Sequence, residues 1–278
     1  MVSRQQSYFF EMRRFHNNIK RDLIQRYAKN AVNLLDLACG KGGDLQKWND
    51  NNIKNVVGYD INTESIDIAN LRKQEFKNLK TKVSFNVLDL SNNIVTGNKN
   101  FDVITSMFAF HYFFKNNDTF ETIMTTIEQN LKSNGFFIGT FFDGETLKNI
   151  DPKIYNEYFK ITFNNGEVEI PLSKNPVFYE KNVIGDSSPV NVVVYDKTPL
   201  DNSAFFGRKI SVMMKETVLN ESMDEYIVDF NNFVERLNQR GFVLLESKLF
   251  RDIFSKFNMK QTEKDVSFLN RYFVFKRI

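Results

Sequence analysis

Asp36, Ala38, Gly40 and Gly42 stand at alternate positions in the run Asp36-Leu37-Ala38-Cys39-Gly40-Lys41-Gly42-Gly43-Asp44. Small residues in a turn that opens a helix let a ligand approach backbone N–H groups closely. A dinucleotide pyrophosphate asks for the pattern G-x-G-x-x-G, which this run lacks. Asp36, two positions before the first small residue, would also repel a pyrophosphate. The same carboxylate suits a cationic amine. A second acid, Asp60, ends the apolar run Val56-Val57-Gly58-Tyr59, where a carboxylate suits a ribose diol. S-adenosylmethionine (SAM) has an amine, a ribose and no phosphate, so the two acids point to it. The alternative is a strand-to-helix turn that merely needs its glycines.

The elements that must hold these residues follow from hydrophobic spacing. Phe9, Met12, Ile19, Leu23, Ile24 and Tyr27 recur at helical intervals within residues 5–30. Residues 32–37 read as a buried strand, and Leu45-Gln46-Lys47-Trp48 opens a helix that Trp48 anchors on the sheet. Residues 55–60 form a second strand, and 63–79 a helix with Ile66, Ala69, Leu71 and Phe76 inward. A third strand, 83–89, ends on Asp89; strand 101–107, helix 120–131 and strand 135–142 follow. This alternation predicts right-handed crossovers and an α/β fold with a doubly wound, mostly parallel sheet. Ligands of such sheets sit at the carboxyl ends of the strands, where Asp36, Asp60, Asp89 and residues 107–112 fall. All five prolines lie within 151–210, with 168–170 and 192–195 as insertion strands. A helix at 233–240 is stopped by Gly241, and 242–245 with 272–276 are expected to close the sheet as an antiparallel hairpin.

The stretch from Leu34 to Trp48, above all Gly40-Lys41-Gly42-Gly43-Asp44-Leu45 followed by Lys47-Trp48, resembles the signature of mRNA cap (guanine-N7) methyltransferases. Phe15-His16-Asn17-Asn18-Ile19-Lys20, residues 101–112 ending in His111-Tyr112, and Gly135-Phe136-Phe137-Ile138-Gly139-Thr140 resemble further segments of that family in order. The match covers residues 13–142 and later rests on Glu225 and Tyr272. The resemblance implies a seven-stranded Rossmann-like methyltransferase sheet within one domain, 1–278. A basic helical segment, 1–30, would precede it, and an insertion, 151–230, would contribute to the cap pocket. It implies SAM as methyl donor, no metal and no covalent catalyst. Lys20, Asp36 and Asp44 would serve the methionine end of SAM, with Ala38 and Gly40 as floor and Met107 alongside. Asp60 would take the ribose and Asp89 the adenine amino group, between Ile61 and Leu90 as apolar walls. His111, Tyr112, Glu225 and Tyr272 would line the guanine pocket, with Glu225 as the charge stabiliser. The chain departs from the family at Ala38, usually glycine, and at Phe141-Phe142-Asp143, where a proline usually faces the guanine and an aromatic wall is expected here.

Composition narrows the rest. With 42% hydrophobic residues, 29 of them Phe, the 278-residue chain can fill a large core. One cysteine, Cys39, and two histidines leave little from which to build a metal centre. Cys39 reads as a small buried residue, and Phe108, Phe110, Phe113 and Phe114 mostly as core. No apolar leader opens the chain, and its most apolar stretches, 101–114 and 135–142, fall short of the roughly 20 residues of a membrane span. A reducing compartment is therefore expected, nuclear or cytoplasmic, or a viral cytoplasmic factory if the Asn-, Lys- and Phe-rich composition reflects a viral genome.

Residues 1–30 carry seven Lys/Arg against two acids, and 248–278 carry eight against three. If the fold brings these ends together they form a track for a polyanion such as capped RNA; otherwise they are solvated faces. Arg13, Arg14, Arg21 and the C-terminal cations are the candidates. Other capping-enzyme domains or a stimulatory subunit are further expected partners. The rivals are a SAM-dependent N-methyltransferase of a small amine or heterocycle, and a non-catalytic RNA-binding subunit of the same fold, which would have lost its SAM-facing acids.

Overall fold

The structure, a computed structural model, describes residues 8–97, 100–148, 159–164, 205–214 and 223–278. Helix α1 (Phe10–Tyr27) leads into β1 (Asn33–Leu37), α2 (Leu45–Asp50), β2 (Asn55–Asp60), α3 (Thr63–Glu75), β3 (Lys82–Val87) and β4 (Phe101–Met107). A 3-10 turn, Phe110–Phe114, precedes α4 (Asn117–Asn130), β5 (Leu131–Phe142) and α5 (Gly144–Lys148). Then come β6 (Phe159–Asn164), β7 (Lys209–Met214), β8 (Met223–Tyr226), α6 (Phe230–Asn238), β9 (Phe242–Leu249), α7 (Gln261–Ser267) and β10 (Asn270–Arg277).

Seven strands form one sheet in the order β3-β2-β1-β4-β5-β10-β9. β10 runs antiparallel to both its neighbours and the pairs from β3 through β5 are parallel. The chain winds outward from β1 to β3, then returns to β4 on the other side of β1. The crevice at this switch point opens at the carboxyl ends of β1 and β4. β6, β7 and β8 form a separate antiparallel sheet.

Alternate strand residues face opposite layers. Leu34, Val56, Val103, Ile138 and Val274 meet α1, α2 and α3 through Ile19, Leu23, Trp48 and Ile66. Leu35, Ile104, Phe137, Phe273 and Phe275 meet α4 and α6 through Phe120, Ile127, Phe233 and Leu237. Much of the phenylalanine sits in this second layer, packed edge to face, as in Phe110–Phe137 (5.1 Å, 66°) and Phe137–Phe273 (5.0 Å, 62°).

The doubly wound sheet and its strands appear as expected. Four local differences have physical causes. α3 ends at Glu75, and Leu71 lies on its solvent side at 56% exposure. β3 ends at Val87, which leaves Asp89 in the following turn. β9 and β10 pair antiparallel, but not as a hairpin: a 3-10 turn and α7 lie between them, and β10 inserts between β5 and β9. α7 escapes a periodicity search because its seven residues contain one apolar side chain, Val266. The strands expected at 168–170 and 192–195 lie outside the described residues. Among the described residues no helix is long and apolar enough to cross a membrane, and no His, Cys, Asp and Glu cluster could hold a metal ion.

Candidate functional site

Asp36 lies on β1 between Gly58 of β2 and Thr105 of β4. It is 4% exposed, and its Oδ1 accepts a 2.6 Å hydrogen bond from the Thr105 hydroxyl. Burial, reinforced by the Asp44 charge, pushes its carboxyl up to about 7, against the pull of the Thr105 bond and Lys20. The backbone then turns through left-handed conformations at Ala38 (φ 60°) and Gly40 (φ 51°). That geometry favours glycine at position 38, and alanine there carries about 1 kcal/mol of strain. A side chain on Gly40 would meet nothing within 4 Å, so the turn borders open space. At Gly58 a Cβ would come within 2.9 Å of Cys39 Sγ and the Phe85 ring, so the turn packs tightly on the β2 side.

Asp60, at the end of β2, reaches back to this turn. Its Oδ2 accepts from the Gly40 N–H at 2.8 Å and its Oδ1 from the Asn62 N–H at 2.9 Å. Its remaining lone pairs can serve a ligand. On the other flank, Lys20 of α1 donates to Asp44 Oδ2 at 2.9 Å, and Lys47 Nζ lies 2.7 Å from Asp44 Oδ1. Lys47 also donates to Asn17 Oδ1 at 2.8 Å, which ties α1 to α2. Burial would raise the Asp44 carboxyl, but the two ammonium groups outweigh it and hold it at about 2. Asp44 is thus already neutralised, whereas Asp36 has a hydroxyl for a partner and no cation bonded to it. A cationic amine beside Asp36 would be welcome there, and the open turn and Asp60 leave room for a ribose. The residues fit SAM.

Asp89 accepts from the Ser91 N–H (2.9 Å) and Asn92 Nδ2 (2.6 Å), bonds that outweigh its partial burial and hold its carboxyl below the usual range. Leu90 is buried in the α4 layer, Ile61 stands 64% exposed, and Met107 is half-buried at the end of β4. Of the residues expected as adenine walls, Leu90 is thus buried and Ile61 is an exposed apolar side chain next to Asp60.

The second half of the site forms across the chain. The 3-10 turn after β4 carries His111 and Tyr112, and β8 carries Glu225, paired with Ile210 of β7. Glu225 is 2% exposed and His111 also 2%. The Tyr112 hydroxyl donates to Glu225 Oε1 at 3.3 Å. His111 Nε2 lies 3.2 Å from Glu225 Oε2, yet Oε2 and both ring nitrogens lack a hydrogen-bond partner. The Nε2–Oε2 approach is thus close without the direction a hydrogen bond needs. Burial and the Glu225 charge push the Tyr112 hydroxyl upward, and Asp60 adds to this, so the fields of the two half-sites overlap. Phe142 lies 5.9 Å from the His111 ring, whereas Phe141 packs in the opposite layer against Phe230 and Phe273. Of Phe141 and Phe142, it is Phe142 that lies beside His111. Arg271, bonded to Asp143 at 2.6 Å, holds the end of β5 that carries it.

The Tyr272 hydroxyl is bonded on β9, not to Glu225. Tyr272 pairs with Thr140 and Lys248, and its hydroxyl donates to Glu246 on β9. Glu246 also accepts from Tyr27 (2.6 Å) and Arg26 (2.5 Å) of α1. Burial would raise the Glu246 carboxyl; the three donors outweigh it and hold it at about 2. Through these bonds Tyr272 ties α1 to the sheet, which is a role beside the guanine-pocket one expected of it. The β10 residue on the same face that pairs with Phe142 is Asn270, two positions earlier. Tyr272→Phe is expected to cost about 1.5–3 kcal/mol, as for a bond to a charged acceptor, and to leave any turnover within about a factor of two. Thermal unfolding and a parallel activity assay check this; a large loss of turnover at unchanged stability would assign Tyr272 to the pocket.

The contacts of Thr105, Asn17 and Lys47 go beyond the roles that the sequence assigns. Lys47 is three residues from Asp44 on one helix, a legible pair; the other two need the packed structure. The two basic ends do meet: the Tyr8 and Thr262 hydroxyls share a 2.6 Å bond, and Phe15 packs on Phe250, Phe254 and Phe257. Many of their cations are engaged within the fold, including Lys20, Arg26 and Arg271.

The sheet and the position of its crevice define a Rossmann-like methyltransferase fold. A SAM-dependent methyltransferase structure from Listeria monocytogenes superimposes with a TM-score of 0.56 at 15% identity, covering 94% of this chain and 96% of that one. The mRNA (guanine-N(7))-methyltransferase domain family matches residues 1–272, and the chain belongs to it. The mRNA cap guanine-N(7) methyltransferase of Caenorhabditis elegans is 34% identical over 267 residues, 88% of this chain and 66% of the relative. That of Saccharomyces cerevisiae is 26% identical over 261 residues, 91% of this chain and 55% of the relative. The chain thus spans between about half and two thirds of the length of these curated relatives.

Proposed function

We propose that this chain transfers a methyl group from SAM to N7 of the guanine that caps the 5′ end of mRNA. Since the chain is shorter than its relatives, the activity, substrate and partners of the whole protein are all part of this proposal. The observation that carries it is Glu225: a buried carboxylate with an unpartnered oxygen, beside an unpartnered imidazole and bonded by Tyr112, on which the Asp60 charge also acts. A buried unpaired acceptor is costly and is explained by a ligand that brings donors. The guanine edge offers N1–H and the 2-amino group together; adenine does not.

SAM supplies an activated methyl on a positive sulfur. N7 has a lone pair and carries no proton, so no general base is required. The carbon–sulfur bond breaks as the nitrogen–carbon bond forms, and positive charge passes from sulfur to guanine. The chain's part is orientation, which can contribute about 7–11 kcal/mol at best, together with a fixed negative group for the charge that develops. Asp36 and Lys20 bind the methionine end, Asp60 the ribose, Asp89 the adenine. His111, Tyr112, Phe142 and Glu225 hold the guanine. Arg14, Arg21, Lys256 and Lys260 are exposed on the joined ends and are the cations proposed to neutralise RNA phosphates. Other capping-enzyme domains or a stimulatory subunit remain the expected protein partners, and the nucleus or cytoplasm the expected compartment.

The test is methyl transfer from labelled SAM to capped RNA, uncapped RNA, GTP and a small-amine panel. Transfer confined to guanine-capped ends supports the reading; transfer to amines alone returns the small-molecule rival; SAM binding without transfer returns the non-catalytic one.

Asp36 makes the SAM half pH-dependent. In the folded protein burial lets it hold its proton up to about 7, against an ordinary value of 3.8. Its contribution to stability is present at low pH and is lost as pH rises through about 7, because ionisation then occurs in a buried place. A cationic amine reverses this by pairing with the ionised form. SAM affinity is therefore expected to rise between about pH 6 and 8, with proton release on binding. Calorimetry in buffers of different ionisation enthalpy measures both. A flat profile in the parent, or an unchanged profile in Asp36→Asn, overturns this assignment.

A further inference from the structure

Helix α1 begins without a cap of its own. Its N-cap is Phe9, which offers no side-chain acceptor. Arg13 N–H already bonds to the Phe9 carbonyl, which leaves the buried Met12 N–H as one of the helix's orphan donors. That donor is satisfied from 251 residues away: Glu263 Oε1 accepts it at 2.9 Å. The other oxygen of the same carboxylate, Oε2, accepts the Lys260 N–H at 2.9 Å, at the N-cap of α7. One carboxylate, 2% exposed, thus caps two helices and places its charge at two positive dipole ends. Of the three acids in the basic segment 248–278, it is the buried one; Asp252 is exposed and Asp265 half-buried.

α1 is also the helix that delivers Asn17 and Lys20 to Lys47 and Asp44. Met12 and Lys20 lie on one continuous helix, about 12 Å apart along its axis. His16, between them, bonds through Nε2 to Ser267 Oγ of α7 at 2.9 Å and stacks on Phe108 (4.9 Å, 18°), the residue after β4. The path from Glu263 to the methionine end of the site is therefore one helix, seated on α7 at its start and paired with Asp44 further along.

We propose that Glu263 is a positioning residue for SAM: by capping α1 from the C-terminal segment, it sets the place of Lys20 beside Asp44 and Asp36. This rests on the SAM reading given above. An uncapped α1 frays from its first turn, and the population with Lys20 in place falls. Glu263→Gln keeps one acceptor and puts an amide N–H against the second donor, so one of the two caps is lost.

The test is a double-mutant cycle on the full chain, with SAM affinity by calorimetry for the parent, Glu263→Gln, Lys20→Ala and the double variant. Glu263→Gln is expected to weaken SAM roughly tenfold, the order of a lost helix cap. In the Lys20→Ala background the same change should add less than about a factor of two, because its effect is routed through Lys20. Turnover at saturating SAM should stay within about twofold of the parent. A purely structural role gives full, additive weakening in both backgrounds, and that outcome, or an unchanged SAM affinity in Glu263→Gln, overturns the proposal. A parent that does not bind SAM at all defeats the underlying reading instead. Should the variants fold poorly, the parent alone decides: coupling is reciprocal, so saturating SAM must slow amide exchange at Met12 and Lys260. Unchanged exchange at both, in a parent that binds SAM, overturns the proposal.

Discussion

Replacing Glu225 with Gln is expected to lower turnover on guanine-capped RNA by about 10²-fold, the size seen when one fixed electrostatic stabiliser is removed. The side chain is 2% exposed and has an unpartnered oxygen, so a low local dielectric makes its charge count strongly. Gln keeps the shape and one acceptor but cannot balance the positive charge that methylation places on guanine. It also presents an N–H2 group where the guanine brings donors of its own. SAM affinity should stay within about a factor of two, because the bonds at Asp36, Asp60 and Lys20 do not involve Glu225. Steady-state kinetics with capped RNA, paired with SAM calorimetry, gives both numbers. Parental turnover in the Gln variant would move Glu225 out of the reaction and leave guanine recognition to His111, Tyr112 and Phe142. The two acids flanking the strand end, Asp224 and Asp229, provide the contrast: Asp224 is exposed and paired with Lys209, and Asp229 caps α6. Glu225 is set apart by burial, which nearby sequence does not show.

Asp60→Ala should weaken SAM by one to two orders of magnitude, about the value of a charge-assisted contact of 1.5–3 kcal/mol. The structure adds a second route to that loss. Asp60 holds the Gly40 N–H at 2.8 Å, and Gly40 sits in a left-handed conformation in the turn that borders the open space. Alanine at 60 therefore removes the carboxylate proposed for the ribose and releases the turn at once. Asp60→Asn separates the two, since its Oδ1 can still accept from one N–H; it should fall between the parent and Ala. An Ala variant that binds SAM as the parent does would remove the central support for the SAM reading.

The chemistry-bearing turn was legible because it is local. A strand, a left-handed glycine and a helix follow one another within fifteen residues, and each leaves a mark in residue type and spacing. The same holds for β2, β4 and α1, whose apolar periods match their buried faces. Glu225 and His111 could be named from family resemblance, but their 3.2 Å approach depends on β8 docking against the 3-10 turn, more than a hundred residues earlier in the chain. Tyr272 shows the limit most sharply. In a strand, a side chain's neighbours are set by the register of the adjacent strands, and the registers of β10 against β5 and β9 are not written in its own alternation. Those registers place the Tyr272 hydroxyl on Glu246 and leave Asn270 opposite Phe142. Glu263 is the same lesson for helices: Phe9, at the N-cap of α1, offers no acceptor, and one arrives from α7 once the two ends pack. Local order, and hence the strand-end acids Asp36 and Asp60, belongs to the sequence alone; the Glu225–His111–Tyr112 cluster and the anchoring of α1 exist only through contacts between distant segments, which chain closure and register decide.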